Sequence, residues 1–342
     1  MNFDNYKNKG LTGLANLGNT CYLNSCIQIL SHTYELNDIF KKLSNERKLN
    51  NIIDSLLLVE WNKLYNLMWK ENCTIAPYGF LKGIQEVSNK KGNSLFCGFD
   101  QNDMPEFLFF IIDCFHNGLE REVNIEISGV PQNNSDKLAK ICYKMIQNMY
   151  SKSYSEILDL FYGIQVSQIK CLENKVKSLT PEPFSVISLS IPTNIKNPTL
   201  FDCFDLYSKG ELLDGDNAWY NDETNQKQNV IKNLCFWSLP DILIVDLKRF
   251  THDNRKIHTI VNVPLTNINL NKYIIGYNKN DSIYDLYAIC NHSGSTWGGH
   301  YFAYIKTANN KWMMFNDTIV KEISENKLIT EKSYCFFFRK IK

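Results

Sequence analysis

No stretch of this 342-residue sequence stays apolar long enough to cross a membrane. The most prominent apolar run, residues 56–59, is ended by Glu60, Asn62 and Lys63. Residues 1–9 are polar and carry no apolar signal core. Neither sign of charge is in excess, with 37 Lys and Arg against 36 Asp and Glu. That balance provides no basic surface of the kind nucleic acid demands. The eleven cysteines are odd in number and form no short-spaced framework. Free thiols in a reducing intracellular compartment, cytoplasmic or nuclear, are therefore expected. Internal repeats and low-complexity linkers are missing as well. What the chain does have is a composition 44% hydrophobic and 13% aromatic, enough to bury a sizeable core. Its length suits one large catalytic unit or two lobes.

The two halves differ in texture. Leu23, Cys26, Ile27 and Leu30 recur at helical spacing, and Ile53, Leu56, Leu57, Leu64, Leu67 and Met68 continue the style. Phe107, Leu108, Ile111, Ile112 and Phe115 make a third stripe, with Pro105 near its start, where a missing amide costs little. Ile141, Met145 and Met149 suggest a fourth. After about residue 158 the pattern becomes short runs of β-branched and aromatic residues: 186–191, 242–247, 286–290, 301–305, 312–315 and 334–338. Segments 132–136 and 210–228 are polar and read as loops. A helical lobe followed by a mostly β lobe predicts an α+β fold rather than alternating βαβ units.

Cys21 closes the run Gly18-Asn19-Thr20-Cys21 and opens the first helical stripe. At a helix N-terminus, unpaired amides and the helix dipole favour thiolate, the competent nucleophile. By position alone Cys21 is equally compatible with an ordinary core cysteine. Asn16, in a Gly- and Asn-rich turn, is placed either to bond its own backbone or to aim its amide at an oxyanion. Thiol chemistry also needs a histidine and a group to orient it. Of six histidines, His300 follows Gly298-Gly299 and precedes the strand pattern beginning at Tyr301. Glycines there let a substrate backbone approach closely. His32 and His116 fall on helical stretches, His252 and His258 in a polar loop, and His292 just past a strand; packing or solvent roles suit them. The next strand ends in Asn316-Asp317, readable as a simple turn or as the group that fixes the imidazole tautomer.

The string Gly13-Leu14-Ala15-Asn16-Leu17-Gly18-Asn19-Thr20-Cys21-Tyr22-Leu23-Asn24-Ser25, followed by Gln28 and Leu30, closely resembles the cysteine box of the ubiquitin-specific proteases. Residues 284–294, then Gly299-His300-Tyr301, then 312–320, resemble that family's histidine box. The landmarks Leu160-Phe161-Tyr162-Gly163 and residues 239–250 extend the resemblance across 10–338. It implies a papain-like fold of thumb, palm and fingers that grips ubiquitin. The expected division is a tail over 1–9 and a catalytic domain over 10–342, with a helical thumb to about 157 and a β-rich palm and fingers beyond. The resemblance makes Cys21 the nucleophile, His300 the base and Asn16 an oxyanion donor. It aligns the third member with Asn316, where many members carry Asp. Asp317 is then the acidic neighbour that can supply counter-charge, and the division of labour stays open.

Asp103 and Glu106 form a capping-box-like pattern. Residues 101–108 also resemble the family motif whose two acids face the basic tail of ubiquitin. Asn102, Met104 and Pro105 depart from that motif. Trp297, with His292-Ser293-Gly294, matches the family's mobile loop over the tail channel, and Gly298, Gly299 and Tyr301 are expected to touch the tail. Many members hold zinc in the fingers with two Cys-x-x-Cys pairs. Here those positions are Cys171 and Asn174, then Asn221 and Thr224, so no metal and no cofactor is expected. The leading expectation is a monomeric thiol protease acting on ubiquitin and ubiquitinated proteins. The alternatives are a catalytically silent ubiquitin-binding scaffold and a protease for a ubiquitin-like modifier.

Overall fold

The computed structural model describes residues 3–46, 48–277, 281–295 and 298–341. Its first half is helical and its second mostly β, an α+β arrangement. The helix Cys21–Ser31 is buried on every side, as its lack of charged residues requires. The helix Met104–Leu119 packs against it, and Ser55–Lys70 packs against both Met104–Leu119 and Tyr78–Lys91. Pro105 occupies the first turn of Met104–Leu119, where no intrahelical amide is lost. Gly92 ends Tyr78–Lys91 in the left-handed conformation at φ 70°.

The second half is built on an eight-stranded sheet. Across it the strands run Ile319–Glu322, Trp312–Asn316, Gly298–Lys306, Ile283–Ser295, Ser333–Lys340, Ile242–Leu247 and Val186–Leu189, with Ile268–Asn269 pairing to Ile283–Ser295. Both faces of this sheet are covered, and the period-two alternation divides its residues, with an irregularity between Leu286 and Ala288 that resets the faces on that strand. Ile242, Ile244, Ala288, Cys290, Cys335 and Phe337 join the core shared with the helices. Leu243, Val245, Leu286, Ile289, Phe336 and Phe338 face a second core closed by the helix Leu200–Ser208. A separate four-stranded sheet, in the order Val176–Phe184, Gly163–Cys171, Val230–Ser238, Glu211–Leu213, projects from this body.

Several expectations change. The segment 210–228 is not a loop: it contains the strands Glu211–Leu213, Trp219–Asn221 and Gln226–Gln228. These are narrow ribbons with little buried surface, so polar residues serve in them. Asn134–Tyr150 is a helix, but Ile141 and Met149 are exposed and its buried face is Leu138, Ala139 and Cys142. That helix begins inside the polar stretch 132–136, capped by the Asn133 side chain accepting from the Asp136 amide. Residues 3–6, expected as part of a tail, form a 3-10 turn that packs on the helical half. Tyr6 stacks on Tyr34 at 4.2 Å between centroids and donates to Asp38 at 2.7 Å.

Candidate active site

Cys21 begins its helix and is 4% exposed. The turn before it is held by Asn16, whose Oδ1 accepts from the amides of Gly18 and Thr20, each at 3.1 Å. Gly18 at φ 105° and Asn19 at φ 54° make the left-handed steps that bring the chain round into the helix. Packing of the helix against the strand Gly298–Lys306 sets Cys21 beside His300.

His300 bonds to two partners. Its Nε2–H donates to Asn316 Oδ1 at 2.6 Å, which leaves Nδ1 for Cys21. The bond to Cys21, then the bond to Asn316, then the charges of Cys21 and Asp317 push the imidazole up to about 9, against the opposing effect of burial. Asn316 reaches the ring because Trp312–Asn316 is the strand next to Gly298–Lys306.

Asp317 turns the other way. At φ 50° it leaves the strand, and its carboxylate accepts from Asn24 Nδ2 at 2.8 Å and Asn16 Nδ2 at 3.0 Å. Its own carbonyl accepts from the Leu14 amide at 2.9 Å. Gly13 lies against this corner so closely that a Cβ there would stand 2.5 Å from the Thr318 carbonyl oxygen. The two adjacent residues thus hold different groups: Asn316 the imidazole, Asp317 the two amides on the nucleophile's side. Asn24 lies in the cysteine-box string, and its position one turn after Cys21 is the sequence signal for its place beside the site.

Asp103 does not form the expected capping box. It makes no cap hydrogen bond of good geometry; its carboxylate instead accepts the Tyr334 hydroxyl at 2.7 Å. Burial raises its carboxyl pKa, opposed by bonds from Tyr334 and Tyr301 and the nearby Glu106 amide. Glu106 is exposed in the first turn of the same helix, its charge felt at Asp103. Asp103, Gln101, Phe250, His292, Gly299 and Tyr301 line a cavity of about 190 Å³. Gly298 lies on its rim, and the Gly299 amide donates across it to Gln101 Oε1 at 2.9 Å. Trp297 lies outside the described residues. Larger hollows of about 560 Å³ beside Asn134–Tyr150 and about 720 Å³ beside Arg339 lie away from Cys21.

His292 is inside the strand Ile283–Ser295, not past its end, and is buried against Phe250, Tyr301 and Tyr334. Lys256, from a distant loop, donates to it; no sequence pattern marks that contact. Among the described residues no group of three or more His, Cys, Asp or Glu is arranged to hold a metal ion. At the finger positions implied for zinc, Asn174 donates its amide to the Cys171 carbonyl at 2.9 Å. Thr224 donates its amide to the Asn221 carbonyl at 3.2 Å, and Asn221 Nδ2 donates to Gln228 Oε1 at 3.3 Å. These closed turns present one thiol, two side-chain amides and one hydroxyl, a donor set unsuited to structural zinc. No described helix is long and apolar enough to cross a membrane.

A family model described as ubiquitin carboxyl-terminal hydrolase matches residues 12–338. Among curated relatives, ubiquitin carboxyl-terminal hydrolase Usp2 of Drosophila melanogaster is 35% identical over 98% of this chain and 35% of its own length. Ubiquitin carboxyl-terminal hydrolase 2 of Homo sapiens is 33% identical over 96% of this chain and 55% of its own. The chain thus spans about a third to about half the length of these relatives. Among solved structures, the SAGA Ubp8/Sgf11/Sus1/Sgf73 DUB module bound to ubiquitin aldehyde superposes with a TM-score of 0.75 at 26% identity, covering 98% of this chain and 71% of that one.

Proposed function

Because the chain belongs to the ubiquitin carboxyl-terminal hydrolase family, we propose that it is a thiol-dependent deubiquitinase that cuts after the terminal glycine of ubiquitin. The observation that carries this reading is His300, bonded to Cys21 on one side and to Asn316 on the other. A silent scaffold has no use for a histidine so held. Cys21, as thiolate, attacks the carbonyl carbon of the terminal glycine, and the oxyanion is met by the Cys21 amide and the second hydrogen of the Asn16 amide. The imidazolium of His300 protonates the leaving amine, the carbon–nitrogen bond breaks, and an acyl-enzyme remains. His300 then takes a proton from water, whose oxygen displaces Cys21.

Asn316 acts as the group that orients His300, and Asp317 as the anchor of Asn16. Asp103 and Glu106 face the basic tail, and the cavity bounded by Gly298, Gly299 and Tyr301 receives it. The catalytic unit is residues 10–342, divided near 157 into a thumb and a palm with fingers. It works as an intracellular monomer, in cytoplasm or nucleus, on ubiquitin and ubiquitinated proteins, without metal, cofactor, nucleic acid or membrane. The structural neighbour bound to ubiquitin aldehyde supports ubiquitin as the partner. The test is reaction with ubiquitin carrying a thiol-reactive C-terminus. A covalent adduct at Cys21 is expected, lost in Cys21→Ser, while Cys21→Ala still binds ubiquitin without cleaving conjugates. Undiminished turnover by Cys21→Ala would sink the mechanism.

A further inference from the structure

Lys256 sits at the end of the loop after the strand Ile242–Leu247, far in sequence from the catalytic groups. Its ammonium has three acceptors within reach: His292 Nδ1 at 3.0 Å, the His292 carbonyl at 2.7 Å and the Gly294 carbonyl at 3.3 Å. A lysine ammonium only donates. His292 Nδ1 must therefore accept, and the proton of the neutral ring must sit on Nε2. The ring stays neutral because burial, Lys256 and His300 hold its pKa down near 4.

The Nε2–H has no hydrogen-bond partner among the described residues, and the ring lines the cavity beside Tyr301. Gly299 is what leaves this edge open. A Cβ on Gly299 would stand 2.2 Å from His292 Nε2 and 2.5 Å from the Ser293 carbonyl oxygen. The strand Ile283–Ser295 passes Gly294 at φ 118°, a left-handed step that the Lys256 bonds brace on its carbonyl side.

We infer that Lys256 is a positioning residue that locks His292 in the Nε2–H tautomer, and that this N–H is a donor to a backbone carbonyl of the extended tail in the channel. This rests on the functional reading above and names a specific contact within it. A donor used equally in ground and transition states changes KM and leaves kcat. One neutral hydrogen bond is worth roughly 1 kcal/mol, so the expected change is about fivefold.

The test has two arms. In wild-type protein labelled with 15N at its histidine rings, the His292 resonances, identified by their loss in His292→Phe, should report one tautomer with the proton on Nε2. In Lys256→Met that signature should become a mixture. With a fluorogenic ubiquitin C-terminal amide, Lys256→Met and His292→Phe should each raise KM about fivefold with kcat within about twofold. The double variant should be no worse than His292→Phe, and His292→Gln, which keeps a donor, should recover much of the loss. An Nδ1–H tautomer in the wild type overturns the inference without reference to any variant. So does wild-type KM in either single variant, or a loss confined to kcat. An unmodified protein that neither reacts with the thiol-reactive ubiquitin nor cleaves the amide overturns the functional reading and this inference with it. An active enzyme with unchanged KM in the variants overturns this inference alone.

Discussion

Asn316 and Asp317 are adjacent, yet their side chains act on opposite banks of the cleft. Asn316 accepts from His300 and favours the charged ring; Asp317 contributes charge at a distance and spends its oxygens on Asn16 and Asn24. Removing the Asn316 bond should therefore lower the His300 pKa from about 9. The imidazolium is needed for the leaving amine, so activity falls as pH rises through that value. In Asn316→Ala the alkaline limb of kcat/KM should lie at lower pH than in the wild type; an unmoved limb would count against Asn316 as orienter. A second residue, Asp246, offers a test of stability. It is 8% exposed, and burial with the nearby Asp103 charge raises it to about 6, despite the bond from Ser188 at 2.6 Å. Its folded pKa exceeds the unfolded one. The stabilising proton is thus fully bound below about pH 4 and lost as pH rises through about 6. Asp246→Asn removes this penalty. It should gain on the order of 2 kcal/mol in denaturant unfolding at pH 8 and little at pH 4; equal gains at both would refute the assignment. At this scale the sequence was readable where function shapes a local string, as at Cys21 and His300. It was silent on the Lys256–His292 contact, which a loop and a strand residue 36 positions apart create only once folded.

Elements were legible where burial imposes a pattern. The strands Ile242–Leu247 and Ser333–Lys340 are almost wholly buried, and their aliphatic and aromatic runs show it. The fingers are not, because they are wetted on much of both faces. Val176–Phe184 alternates polar residues with Pro181 and Pro183, which a strand tolerates only at an edge, and this strand is at the edge of its sheet. The helix Tyr34–Glu46 was missed for a similar reason, since Asn, Lys and Glu outnumber its anchors. One side chain fastens the ends of the buried strands. Arg249 is fully buried and donates to the carbonyls of Ser333 at 2.7 Å, Ile257 at 2.8 Å and Thr259 at 2.9 Å. Burial lowers it only to about 10, so it remains charged at neutral pH. Arg249→Met leaves three carbonyls unpaired and should cost roughly 3 kcal/mol or more in denaturant unfolding. A loss below about 1 kcal/mol would show that water replaces the guanidinium freely.

For the molecule as a whole, the helices cover one face of the large sheet and Leu200–Ser208 helps cover the other, so Cys21 and His300 meet only when the two halves are docked. The turns at Cys171–Asn174 and Asn221–Thr224 are closed by protein hydrogen bonds alone. Prolonged treatment with a strong chelator should leave melting temperature and turnover unchanged, whereas one equivalent of zinc per purified chain would contradict this. The order of strands carries another consequence. Ser333–Lys340, the last strand of the large sheet to be synthesised, lies between Ile283–Ser295 and Ile242–Leu247 near the middle of that sheet. A ribosome-bound nascent chain that has not yet released residue 340 therefore holds a sheet split down its centre, with two unpaired edges exposed. The docked fold cannot form during translation of the early segments. A chain truncated before Ser333 would keep Cys21, His300 and Asn316 yet lack the strand that joins the two parts of the sheet.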